Sequence, residues 1–187
     1  MRYNISMKLT SSDAQLFYRL WLPLLDYVNE AYRVNPAMID MAHRTGLDLE
    51  AVRAIATRLW DNPEIIDQYL SHNTQLPAEH RSIVESWKRR VRGNFFLERH
   101  QSQGSIFIDS QTNMVYLVSG ITSAWSESFP RETLPVFLGT TLIPFENRII
   151  YDSTAQRYPI PLGPEIAQRL LRAYQQAKDT GTLCKTL

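Results

Sequence analysis

The densest positive charge in this 187-residue chain lies between positions 88 and 100, where Lys88, Arg89, Arg90 and Arg92 are followed by Arg99 and His100. Such a run grips phosphates, and the neighbouring Trp87 offers a ring on which a base could stack. The same cations also suit a helix C-terminus, where the macrodipole favours them and water screens them. The chain as a whole gives the first reading no help. Lys and Arg number 20 against 19 Asp and Glu, a formal charge of +1, so no global field draws it onto nucleic acid or anionic lipid. A solvated helix end is the favoured reading of the cluster.

A second nucleic-acid signal lies in Ala42-His43-Arg44-Thr45-Gly46-Leu47, followed by Val52 and Ile55. A small residue, a glycine four positions on and two apolar contacts is the spacing of a helix-turn-helix, in which the turn needs a residue tolerant of positive φ. As a recognition helix, Leu49 to Trp60 offers DNA only Arg53 and Arg58, and it carries Asp48 and Glu50 at the end that would approach phosphates. An ordinary helical corner over 42 to 60 is preferred.

Catalytic and metal patterns are sparse. His43, His72, His80 and His100 form neither HExxH nor a ligand pair with a carboxylate, and the serines build no GxSxG elbow. Cys184 is the single cysteine, which excludes an internal disulfide and a cysteine-based metal site and fits a reduced tail thiol. Gly163-Pro164-Glu165 opens a helix, but one glycine beside a carboxylate is a poor anion cradle. No cofactor and no metal is expected. A site assembled from scattered groups, such as His100 with Glu98 or Asp109, stays open, because catalytic residues often meet only in the fold.

Trp125 and Phe129, in SAWSESFPRETLP, are large apolar groups in a polar loop. Either they fold back to cap the C-terminal half, the preferred alternative, or they form a surface for a partner.

These residues must be positioned by a chain whose grammar changes near Gly93. Before it, Leu16, Leu20, Leu24, Val28 and Ala31 predict a helix from Ser11 to Tyr32, with Ser12 or Asp13 as cap and a kink or break at Pro23. Short helices are expected over AMIDMAHR after Asn35-Pro36, over LEAVRAIATRLW after Asp48, over EIIDQYL after Asn62-Pro63, and from Pro77 through HRSIVESWKRRV to a stop at Gly93. After it, β-branched and aromatic runs predict strands at 94 to 100, 105 to 109, 114 to 119, 135 to 143 and 147 to 152, with a weak one at 157 to 160. Connections at 101 to 104, 110 to 113 and 145 to 147 are hairpin length. A final helix follows Gly163-Pro164, turning Ile166, Leu170, Tyr174 and Ala177 inward and ending at Gly181.

The expected class is α+β: a helical N-terminal half of four to six helices, residues 1 to 92, packed on a small antiparallel, partly barrel-like sheet closed by a C-terminal helix, residues 93 to 187. With 44% hydrophobic residues and no flexible linker, the two halves are expected to share a core. MRYNISMKLTSSD holds no apolar run of signal-peptide length and no stretch is long and apolar enough to span a bilayer, so a soluble, cytoplasmic chain is expected.

The strings LWLPLLDYVNEAYRVNP, RLWDNPEIIDQYL, SIVESWKRRVRGNFFLERH, SIFID with VYLVSGI, and TLIPFENRIIYD together resemble a set of uncharacterised bacterial proteins common among Firmicutes. The resemblance covers nearly the whole chain. It implies a bacterial cytosolic protein built as one integral unit, and it brings no catalytic motif, cofactor or substrate. The leading expectation is a non-catalytic binding or interaction module, with a protein partner or a homodimer. A nucleic-acid-associated regulator is the first alternative and an enzyme with a dispersed site the second.

Overall fold

Apolar residues at three-to-four spacing on either side of Pro23 form one uninterrupted helix, α1 (Ser11–Tyr32). Pro23 does not break it, because Leu20, Trp21, Leu24, Leu25 and Val28 bury on both sides of the proline and hold the turns together. The computed structural model describes residues 7–187. The first six residues of the segment read above for a leader lie outside the described residues. The chain divides into two compact units, Ser12–Arg89 and the segment ending at Ser11 together with Arg90–Leu187.

In the first unit α1 is followed by α2 (Leu49–Asp61), α3 (Ile65–His72) and α4 (Ala78–Ser86). The Asp48 carboxylate accepts the Glu50 N–H at 3.0 Å, starting α2 as the sequence predicts. The helix expected over AMIDMAHR does not form; Met41–His43 is a single 3-10 turn. Trp21 stacks on Trp60 at 5.5 Å and meets the edge of Trp87 at 5.6 Å, and Phe17 lies 6.0 Å from Trp87. Four fully or nearly fully buried rings thus form the centre of this unit.

Gly93 is not a helix stop. The α-helix ends at Ser86, a 3-10 turn covers Trp87–Arg89, and β1 (Val91–Gln101) has already begun. It is followed by β2 (Gly104–Asp109), β3 (Val115–Val118), the short helix α5 (Trp125–Ser128), β4 (Val136–Phe145), β5 (Arg148–Tyr158) and α6 (Pro164–Asp179). The three hairpin-length connections join antiparallel pairs, β1 with β2, β2 with β3 and β4 with β5. The strands expected at 147 to 152 and 157 to 160 are one strand. A bulge opposite Thr140 and Leu142, with Ser153 at φ +66°, absorbs the irregularity and lets β5 continue to Tyr158.

The ring order is β1-β2-β3-β5-β4, closed by the β1–β4 pairing. Its one parallel contact joins β3 to β5 at Val118 and Ile149. Phe95, Leu97, Phe107, Val118, Leu138, Leu142 and Ile149 fill the interior. On the other face Phe96, Ile106, Ile108, Val115 and Leu117 are covered by Leu170, Tyr174 and Ala177 of α6. Each large apolar side chain buried in this way contributes about 1.5–3 kcal/mol.

The segment around Cys184 lines the outer edge of β3, and residues 7–9 continue beyond it. The Leu117 N–H donates to the Cys184 carbonyl and the Cys184 N–H to the Val115 carbonyl, each at 2.9 Å. Beyond Val118, Gly120 exchanges bonds with Met7 and Leu9. The edge groups are satisfied row by row rather than left as a template for another strand.

Candidate functional site

The predicted cationic cluster is divided among separate partners. The Lys88 ammonium lies 2.7 Å from the Asp67 carboxylate and 3.9 Å from that of Glu85, and the Asp67 bond raises its pKa. Arg99 donates to both oxygens of Glu98, one at 2.7 Å, and its guanidinium lies 4.2 Å from the centre of the Tyr174 ring. Arg89 and Arg92 are exposed and Arg90 is half-buried.

His100 is buried. Its Nε2 lies 2.7 Å from the Phe129 carbonyl, which only accepts, so Nε2 carries the proton and Nδ1 accepts the Ser105 hydroxyl at 2.8 Å. The serine and histidine are paired as in a nucleophile dyad, but both are closed off from solvent, and they clamp the β3–β4 connection to the ring. Asp109 stands at the opposite end of the β1–β2 ladder from His100, opposite Phe95, and its carboxylate accepts the N–H groups of Gln111 and Thr112. Glu98 is held by Arg99.

Trp125 folds back onto the ring. It is 6% exposed, 4.5 Å from the Tyr151 ring and 5.0 Å from Phe107, with Phe129 stacked at 6.2 Å. The polar residues around it explain its placement: the Glu127 carboxylate accepts the Ala124 N–H at 2.8 Å, starting α5 just where the indole turns inward. That bond lowers the Glu127 pKa.

The helix pair at 42 to 60 has no first helix, since a 3-10 turn stands there. Arg53 pairs with Glu50 at 3.1 Å and Arg58 covers the Tyr32 ring at 4.2 Å.

What stands open in the helical unit lies just after α1. The chain leaves the helix through Arg33 at φ +49° and crosses back over Asn35–Asp40, where Asp40 is at φ +56°. Buried Asn29 fixes this loop from below. Its amide donates to the carbonyls of Asn35 (2.9 Å) and Met38, and its oxygen accepts the Asn35 N–H at 2.8 Å. The Asp26 carboxylate accepts the N–H groups of Met41 (2.9 Å) and Ala42 (3.4 Å), and Arg44 donates to the Ala37 carbonyl at 2.7 Å. Between loop and helix runs a groove of about 630 Å³, with Met38 at its base and Ile39 on its wall. Ile39 is 72% exposed and Leu49, at the start of α2, is 65%, the two highest values among large hydrophobic side chains of the described residues.

Acidic groups rim the groove: Asp26, Glu30 and Asp40 against Arg33. His43 Nδ1 is 2.6 Å from Asp40, and that hydrogen bond raises the imidazole pKa. The helix predicted over AMIDMAHR would have contained Ile39, and its absence leaves that side chain on a loop. The missed signal was the turn chemistry, Asn35, Pro36 and Asp40 closing around the apolar pair Met38-Ile39.

Among the described residues no group of three His, Cys, Asp or Glu could hold a metal ion, and no helix is long and apolar enough to cross a membrane. Comparison with protein-family models, with curated proteins and with solved structures finds no match to this chain.

Proposed function

We propose that this protein is a non-catalytic interaction module of a bacterial cytosol, and that it engages a protein partner through the groove beside α1. The observation that carries this reading is Ile39: a large aliphatic side chain held in water on a loop that side-chain-to-backbone hydrogen bonds from Asn29, Asp26 and Arg44 keep in place. A rigid loop loses little conformational freedom on binding. Covering Ile39 would recover about 1–2 kcal/mol of the transfer free energy that its exposure forgoes.

The nucleic-acid alternative has less support. Lys88 and Arg99 are neutralised by their own carboxylates, so each would exchange an existing ion pair for a phosphate. Five-stranded Greek-key rings of the OB type carry oligonucleotides and oligosaccharides on the face of their second and third strands. In this chain Ile106, Ile108, Val115 and Leu117 of that face are under α6.

The test is affinity capture on the immobilised full chain and on Ile39→Asp, with bound proteins quantified by mass spectrometry. The reading expects at least one protein retained by the wild type and depleted by the substitution. Identical retention by both, or no retained protein together with turnover of a substrate, overturns it.

A further inference from the structure

The chemistry of the partner can be read from the charge around the groove. Ser12–Arg89 contains eight Lys and Arg against eleven Asp and Glu, an acidic excess within a chain whose total charge is +1. Part of that excess gathers at the groove, where the carboxylates of Asp26, Glu30 and Asp40 flank an apolar wall; Arg33 is the one cation among its lining residues, and the Arg44 guanidinium stands beside it on the Ala37 carbonyl and the Met38 sulfur. Asp26 spends its oxygens on the Met41 and Ala42 N–H groups yet keeps its negative charge. Glu30 is exposed at the last turns of α1, where a carboxylate faces the negative end of the helix dipole and gains nothing from its own element. Asp40 holds His43 and is left-handed at a position that a β-branched or bulky residue would strain. Of the three, Glu30 is the carboxylate that does nothing for the fold and is left to an incoming cation.

We infer that the occupant of the groove is an amphipathic segment of another protein, bearing an aliphatic or aromatic anchor that packs on Met38 and Ile39 and Lys or Arg side chains that meet Glu30 and Asp40. The inference rests on the interaction-module reading and deepens it. A volume of about 630 Å³ accommodates a few side chains of one segment and not a whole domain surface. The acidic rim sets the sign of the partner's charge, which governs encounter rate and discrimination more than raw affinity. A second copy of this chain is the poorer occupant. Pairing this acidic groove with a different, basic surface of an identical chain is a heterologous contact, which grows into open chains unless the rotation closes.

The experiment uses three fluorescein-labelled 16-residue amphipathic peptides that share one leucine stripe and carry Lys, Gln or Glu on the polar face. Binding to the full chain is read by fluorescence anisotropy. The Lys peptide is expected to bind about ten-fold tighter than the Glu peptide, with a preference that shrinks as salt rises. Ile39→Asp is expected to weaken it about ten-fold, and Glu30→Lys to reduce or invert the Lys-over-Glu preference. Both positions are exposed, and circular dichroism verifies that the variants fold. Equal binding of the Lys and Glu peptides, Lys-peptide binding indifferent to Ile39→Asp, or no binding by any peptide overturns the inference. The capture experiment separates the two claims. A protein lost from Ile39→Asp while the peptides fail leaves the module standing and removes the basic partner, whereas failure of both removes both.

Discussion

Replacing His100 by leucine tests whether the buried histidine is a structural clamp. The substitution roughly preserves volume but strips both hydrogen bonds. The Ser105 hydroxyl, 1% exposed, loses the acceptor 2.8 Å away, and the Phe129 carbonyl loses its donor at 2.7 Å. An orphaned buried hydroxyl costs about 2 kcal/mol, the half-buried carbonyl about 1, and the leucine returns about 1 by apolar burial. The net loss is about 2 kcal/mol. Urea unfolding should be followed through 1H–15N cross peaks of β1 and β4 amides, because three of the four tryptophans, Trp21, Trp60 and Trp87, belong to the helical unit and would mask the ring. The sharper test is a sign change. Ser105→Ala should destabilise the wild type by about 1 kcal/mol, by removing the donor to Nδ1, yet stabilise His100→Leu by about 1–2, by removing the orphan hydroxyl. A loss under about 0.5 kcal/mol for His100→Leu, or Ser105→Ala of the same sign in both backgrounds, refutes the tautomer and the clamp together.

Further expectations follow from other contacts. Deleting residues 182 to 187 removes the Cys184 bonds to Val115 and Leu117 and the packing of Cys184 and Leu187 on the ring interior; the ring should lose about 2–4 kcal/mol, and Leu117 should show the steepest rise in amide exchange. Gly120→Ala would place a methyl 2.0 Å from the Ser123 carbonyl oxygen, so the backbone must shift, at a cost of at least about 1–3 kcal/mol by thermal unfolding. The His43 imidazole should titrate above the ordinary value of 6.5, because Asp40 holds the protonated form. The pairing contributes fully below that ordinary value and is lost as pH rises through the raised folded-state pKa; in Asp40→Asn, NMR titration should return His43 towards the ordinary value, and an unchanged midpoint would contradict the pairing.

Much of the scaffold was legible because local and global signals agree. Asp48 followed by an apolar stripe specifies α2, Gly163-Pro164 specifies the start of α6, and hairpin-length connections pair consecutive strands. The misreadings lie where tertiary contacts override local preference. AMIDMAHR has helical composition, but Asn29 takes the carbonyls of Asn35 and Met38 and Asp26 takes the N–H groups of Met41 and Ala42, which competes with a helical ladder. Gly93 resembles a helix stop until β1 pairs with β4 through it, opposite Thr140. Closure of the ring by the parallel β3–β5 contact joins Val118 to Ile149 across 31 positions and carries no local signature. The candidate site was the least legible part, since the exposure of Ile39 follows only once that helix is absent.

The central claim is that the face around Ile39 meets another protein, and site-specific photo-crosslinking in living cells tests it most directly. A benzophenone side chain at position 39 should give one discrete crosslinked protein, while the same probe at Gln175, exposed on α6, should not give it. A probe at position 39 that yields no adduct, or the same adducts as position 175, would contradict the account.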